Sequence, residues 1–366
     1  MDFPTEIRAA VLRATDQPIA LETIRLKAVA ADEVRVRIDA TGVCHSDLSL
    51  ARGLLAQPLP AVLGHEATGT VLETGSEVDR VSPGDRVVLL WISPCGDCFF
   101  CQNGEPHLCV HGNDRAAEPY AIDSAGQPVH PGLGVASFAE QTVVRQNAVV
   151  RVPDDVDDTS AALLGCAVTT GVGAARKVAR VHSGASVLVL GLGGVGLSTV
   201  MGARLAGAAR IIAVDRNPDR GGLAEQLGAT EFVLADDGLR REVRRLTGPG
   251  ADYVFDCVGS ARTIRDGWGL ARRGGTLCVV GIGGQADKVE FSALELFHFA
   301  RTLVGCVGGS LDAAADLPGY FELIRSGTLD LAPLATGTAG IADIEDCFAE
   351  LAAGRAVRTL LRPGAA

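Results

Sequence analysis

A chain of 366 residues with 44 Asp and Glu against 33 Lys and Arg carries a net charge of −11, which argues against nucleic acid or anionic membranes as partners, because both need basic surface. Its hydrophobic content of 47% suffices for two cores, and with aromatics at 4% the packing falls to Ala, Val, Leu and Gly. No apolar run reaches the ~18 residues of a membrane-spanning helix. The N-terminal MDFPTEIRAAVLRA lacks the basic-then-apolar pattern of a signal peptide. A cytoplasmic location is therefore expected, where ten cysteines favour metal ligation over disulfides.

Residues 1 to 160 read as short strands broken by Gly, Pro and Asp. The run from Glu33 to Asp39 alternates apolar and charged side chains, as a half-buried strand does. Pro83-Gly84-Asp85 makes a turn before the apolar Val87 to Leu90. This half predicts an irregular β domain or barrel. From about residue 186 the character changes. Ser186 to Leu190 is a continuous apolar strand, then come a glycine loop and an Ala-rich helix, and Ile211 to Val214 is the next strand. Helical Leu223 to Leu227 and strands at Glu231 to Leu234, Tyr253 to Asp256 and Thr276 to Val280 continue the alternation. Strands alternating with helices predict an α/β, doubly wound parallel sheet. The last ~55 residues do not clearly prolong it.

Two motifs carry chemistry. Cys95, Cys98, Cys101 and Cys109 place four thiols within 15 residues. Thiolates are soft ligands, and two-residue gaps turn neighbouring sulfurs back onto one Zn²⁺ in a closed structural tetrahedron. The second is Gly191-Leu-Gly193-Gly194-Val195-Gly196, with a strand before it, a helix after it and Asp215 lying 19 positions past Gly196. Gly191 permits the tight turn, Gly193 the approach of a pyrophosphate, and Gly196 close packing of helix on strand. The helix N-terminus offers free N–H groups to phosphates. Asp215 suits the ribose hydroxyls of NAD and repels a 2′-phosphate, so NAD is expected over NADP, although Arg216 beside it could hold such a phosphate.

Outside the four-Cys lobe, Cys44, His65 and Cys166 are each weak signals, since a lone Cys in an apolar stretch is ordinarily core. Together with the lobe and the glycine loop, in this order along essentially the whole chain, they resemble the zinc-dependent medium-chain alcohol dehydrogenases. The segment from Cys109 to Phe138 is similar to the insert kept by the long, dimeric branch. The resemblance implies a GroES-like β-barrel catalytic domain at residues 1–167 and 309–366 and a Rossmann domain at 168–308, with a water-excluding cleft between them. It implies a catalytic zinc on Cys44, His65 and Cys166, with Glu66 a near neighbour able to join in ligand exchange and Asp47 orienting His65. It also implies two zinc ions per chain, NAD, a homodimer and hydride transfer between a primary alcohol or aldehyde and the cofactor.

Finer roles follow from the same resemblance. Ser46 fits the first member of a proton relay, but Ser49 stands where relatives place a histidine. His45 replaces a common arginine near the pyrophosphate. Arg358 matches a further arginine expected there, with Arg220 flanking the adenosine ribose and Thr170 among the cofactor contacts. Trp91, Gly132 and Leu133 join Ser46 in the substrate pocket. An indole wall, and glycine where relatives carry a large side chain, imply a bulky or aromatic alcohol. Cys257, Cys278, Cys306 and Cys347 read as buried small hydrophobes. The rival activity is oxidation of an S-hydroxymethyl thiol adduct by the same residues. A non-catalytic nucleotide-binding relative would be expected to lack the zinc ligands that this chain keeps, and an NADPH-linked quinone reductase would lack zinc and the acid at 215.

Overall fold

The structure is a computed structural model and describes residues 2–364. Two compact units divide the chain: Met1–Cys166 with Asp312–Ala366, and Ala167–Leu311. Among the described residues no helix is long and apolar enough to cross a membrane.

The first unit is built on β structure. Strands Thr5–Leu12, Ala20–Leu26, Ala121–Ile122, Pro128–Pro131 and Ala61–Val62 close into a small barrel. A second, seven-stranded sheet is organised around Glu33–Gly42, which pairs antiparallel with Glu66–Thr74, Gln141–Arg145 and Arg358–Leu361. The alternation legible in the sequence is realised there. Val34, Val36 and Ile38 enter a core with Val71, Val87 and Val144, while Arg35 and Arg37 face outward to Glu73 and Asp39, each at 2.8 Å. Burying one face of alternate residues fixes the register, because a one-residue slip would turn every valine outward.

The C-terminal segment completes this unit. Helix Ile344–Ala352 lays Ile344, Cys347, Phe348 and Leu351 on the barrel core, and Phe348 meets Phe138 edge-on with centroids 6.3 Å apart. Strands Ala335–Ala339 and Arg358–Leu361 run parallel to each other at the sheet margin, and Leu360 and Leu361 pair with Gly42 and Thr41. The local pattern of the last residues is hard to read because these two short strands are completed only by a partner strand some 300 residues upstream.

The second unit is a six-stranded parallel sheet ordered Glu231–Leu234, Arg210–Asp215, Ser186–Leu190, Ala251–Asp256, Ala271–Val279 and Thr302–Gly305. Numbered along the chain, this is the 3-2-1-4-5-6 order of a doubly wound dinucleotide-binding sheet. The strands are apolar runs because helices cover both faces. Trp268, on helix Ala261–Leu270, is fully buried against this sheet's core. All ten cysteines are free, Cys278 and Cys347 buried, Cys257 and Cys306 half-buried.

Candidate active site and nucleotide loop

In the first unit, Cys44, His65 and Cys166 are buried and their ligand atoms lie within 4.8 Å of one another. Local structure explains each placement. Cys44 is the N-cap of helix His45–Ala51, and Asp47, at the third helical position, accepts the Cys44 N–H through Oδ2 at 3.1 Å. The other oxygen of Asp47 accepts the Gly64 N–H and holds His65 Nδ1, both at 3.0 Å. One buried carboxylate thus ties together the segments carrying two of the three ligands. It also fixes the imidazole tautomer: Nδ1–H donates to Asp47, which leaves the Nε2 lone pair for a metal. His65 Nε2 stands 3.3 Å from Cys166 Sγ. Gly64 has φ +90°, and a Cβ there would fall 2.5 Å from Phe138 and Ser137, so only glycine can lead the chain into His65.

Hydrogen bonding with Cys166, then the charge of Arg358, pulls the Cys44 thiol well below its ordinary pKa against the opposing effect of burial. With both sulfurs as thiolates, Cys44, Cys166, Glu66 and Asp47 would bring four buried anions together, and among the described residues Arg358 is a buried cation that faces Glu66 and Cys44. Such a deficit of positive charge cannot stand at low dielectric without protons or a cation, and soft sulfur with imidazole selects a divalent metal such as zinc. The residues present therefore fit the metal.

Arg358 is buried, with Nε donating to Glu66 Oε1 at 3.0 Å, Nη2 to Cys44 Sγ at 3.3 Å and Nη1 to the Val357 carbonyl at 3.3 Å. Glu66 is accordingly engaged by this guanidinium and stands outside the group of three ligand atoms. Gly42 is a participant that sequence reasoning missed: a Cβ there would come 2.2 Å from Glu66 Oε1. The Thr41-Gly42-Val43-Cys44 run carried a signal only in the glycine itself.

The lobe thiols also assemble. Cys95 and Cys101 sulfurs lie 4.0 Å apart, and those of Cys98 and Cys109 3.9 Å apart. The edge of a tetrahedron with Zn–S bonds of ~2.3 Å is about 3.8 Å, so this spacing suits one metal and not a disulfide. Backbone N–H groups of Cys95 and Cys98 donate to Cys109 and Cys95 sulfurs at 3.3 Å, holding the loop in shape.

Ser46 Oγ is 3.7 Å from Cys44 Sγ. Trp91 and Leu133 line one small cavity with Leu90, Ser93, Arg115 and Arg145, and Ser46 and Gly132 are not among its walls. A Cβ on Gly132 would lie 2.8 Å from Leu63 Cα and Val62 O, so the glycine serves close approach of two backbones.

In the second unit, Gly191 (φ +86°) follows strand Ser186–Leu190, and Gly193 caps helix Gly194–Leu205. The three glycines divide their tasks. A Cβ at Gly196 would fall 1.8 Å from the Gly191 carbonyl, whereas one at Gly193 would meet nothing within 4 Å, leaving open room where a phosphate would sit. Asp215 ends strand Arg210–Asp215 and accepts the Leu192 N–H at 2.7 Å and the Asn217 N–H at 2.8 Å, so it also braces the loop. Arg216 and His45 are exposed, while Thr170 and Arg220 are buried. Burial holds the Arg220 guanidinium below its ordinary pKa, against the attraction of Asp215 and Asp219.

Comparison with known proteins places this geometry. The zinc-binding dehydrogenase family pattern matches residues 194–326, and the alcohol dehydrogenase GroES-like domain matches 30–154. An S-(hydroxymethyl)glutathione dehydrogenase of Photobacterium damsela subsp. piscicida is 35% identical over 97% of this chain and 99% of that protein. A zinc-binding-domain alcohol dehydrogenase from Burkholderia ambifaria superposes with a TM-score of 0.93 at 33% identity, covering 99% of this chain and 100% of that one. Benzyl alcohol dehydrogenase from Acinetobacter calcoaceticus gives 0.91 at 30% identity, covering 98% and 99%.

Proposed function

The chain belongs to the zinc-dependent medium-chain alcohol dehydrogenases, and from that premise we propose that it oxidises a primary, aromatic alcohol with NAD, and reduces the matching aldehyde, at Cys44, His65 and Cys166. The observation that carries this reading is the buried trio of ligand atoms within 4.8 Å, in a chain that also holds an open glycine loop backed by Asp215. Bound by the trio, zinc supplies a Lewis acid that acidifies a hydroxyl or polarises a carbonyl, while NAD, at the glycine loop, accepts or returns hydride.

The chain's own residues do the rest. Asp47 keeps His65 in the tautomer that presents Nε2. Arg358 neutralises Glu66 and leans on the Cys44 sulfur, limiting the anionic charge around the reacting oxygen. Ser46 offers a hydroxyl beside Cys44 to carry a substrate proton. Ser49 cannot accept that proton at neutral pH, so it passes to solvent. An S49H variant should therefore oxidise alcohol faster below neutral pH, and an unchanged pH profile would put position 49 outside the path. The four-Cys lobe holds a second, structural zinc. A cytoplasmic setting suits ten free cysteines. Two copies pair through the free edge of strand Thr302–Gly305, beside which Leu294 and Phe297 are 73% and 84% exposed.

With Gly132 packed against backbone, the aromatic preference rests on Trp91 and on likeness to the benzyl alcohol enzyme. Similarity to the S-(hydroxymethyl)glutathione dehydrogenases favours a second reading, in which a thiol adduct is the substrate. The test is NADH formation by zinc-loaded protein on ethanol, octanol, benzyl and cinnamyl alcohols, and on formaldehyde with glutathione. Turnover led by benzyl and cinnamyl alcohols is expected. Activity confined to formaldehyde plus glutathione would move the assignment to the adduct.

A further inference from the structure

One face of the second unit gathers guanidinium groups over a single aromatic cluster. Trp268 and Phe291 stack edge-on with centroids 5.1 Å apart. Arg301 Cζ lies 5.5 Å from the Trp268 ring and 4.4 Å from Phe299, and Arg273 Cζ lies 5.6 Å from the same Phe299. Arg240, from helix Leu239–Thr247, reaches in beside Trp268: its Nη2 stands 2.5 Å from where a Cβ on Gly269 would be.

Ring stacking explains how the guanidinium faces are held, but not their charge balance. In a chain with a net charge of −11 carboxylates are plentiful, yet among the described residues Arg240, Arg273 and Arg301 make no ion pair with one. Glu295, the acid at this cluster, gives Oε2 to Arg265 at 2.9 Å, while its Oε1 is buried with no hydrogen-bond partner among the described residues, and it offers one negative charge against four guanidinium groups. Arg301 spends only Nε, on the Arg272 carbonyl at 3.2 Å, and Arg273 Nη2 meets His298 Nε2 at 2.8 Å. Burial, and then the charges of Arg240, Arg265 and Arg273, depress the Arg301 guanidinium, with Glu295 opposing them. Like charges gathered at one place are costly until an anion joins them.

We propose that Arg240, Arg273 and Arg301 form a binding site for a multivalent oxyanion of the phosphate class. Guanidinium forks match phosphate oxygens in pairs, and the rings, already covered by guanidinium faces, leave no platform for a nucleobase. The site is distinct from the cofactor loop. Arg273 lies near the start of strand Ala271–Val279 and Arg301 immediately before strand Thr302–Gly305, whereas Gly191 follows the end of strand Ser186–Leu190 in the same parallel sheet. Five residues of strand separate the two edges by on the order of 15 Å.

The test is isothermal titration of pyrophosphate, and separately of glycerol 3-phosphate, into the full, zinc-loaded chain saturated with NADH, at constant ionic strength. Occupancy by NADH removes the glycine loop as a competing site. Saturable binding is expected, weakened about tenfold in each of R240Q and R273Q while NADH affinity and Tm stay unchanged. The stronger of the two titrants tells a free polyphosphate from a phosphorylated metabolite. Absence of saturable binding, equal binding of chloride, undiminished affinity in both variants, or a change of oligomeric mass in the variants would each overturn the proposal.

Discussion

Arg358 shows how one side chain can belong to a metal site without ligating it. Its guanidinium stands between a buried thiol and a buried carboxylate, so removing it takes away the cation that faces Glu66. R358M is expected to cost about 3–5 kcal/mol in urea unfolding of zinc-loaded protein, and adding E66Q should recover most of it. If R358M alone were neutral, the pair would be incidental to stability. Gly132 is small because two backbones pass close to it. G132A should lower stability by about 1–3 kcal/mol through contact with Leu63 and Val62, with no narrowing of the alcohol range. An altered ratio of benzyl alcohol to ethanol turnover at unchanged Tm would restore the pocket reading.

At the level of elements, the strand–loop–helix of residues 186–205 separates folding from binding within one motif. G196A forces a methyl into the Gly191 carbonyl and should unfold the turn, lowering Tm and abolishing NADH binding together. G193A meets nothing in the protein, so Tm should hold while NADH affinity, read by fluorescence titration, falls at least about tenfold, because the added methyl occupies ligand space. Equal thermal losses in the two variants would deny that division of labour. The motif's spacing made it legible in the sequence, since strand, turn and helix are local. Which glycine faces protein and which faces open space depends on where Cys257 and the first strand lie after folding.

For the whole molecule, the chain closes its first unit with a segment drawn from its far end. Arg358 is 292 residues from Glu66, and its strand completes the sheet that carries Cys44. In the proposed dimer, the exposed face of helix Ala293–Phe299 and the edge strand Thr302–Gly305 are the pairing surface. A free strand edge with Leu303 exposed is a pairing template, and lysine is what blocks such templates. L303K should convert a dimer to a monomer in a native mass spectrum. An unaltered dimer would put the interface elsewhere.

The sequence by itself determined the doubly wound sheet, the glycine loop with Asp215, and the lobe of Cys95, Cys98, Cys101 and Cys109, because each is written in residues close together, as hydrophobic period, turn chemistry or ligand spacing. It named Cys44, His65 and Cys166 only through resemblance to a family, since each is uninformative alone. The tertiary structure decided what links them: Asp47 bridging Cys44 to His65, Arg358 turned onto Glu66 and Cys44, Gly42 making room for Glu66, and Gly132 pressed against backbone. These are contacts between segments tens to hundreds of residues apart. A side chain's role there is fixed by which backbone passes within hydrogen-bond or van der Waals reach, and that distance exists only after the chain has folded.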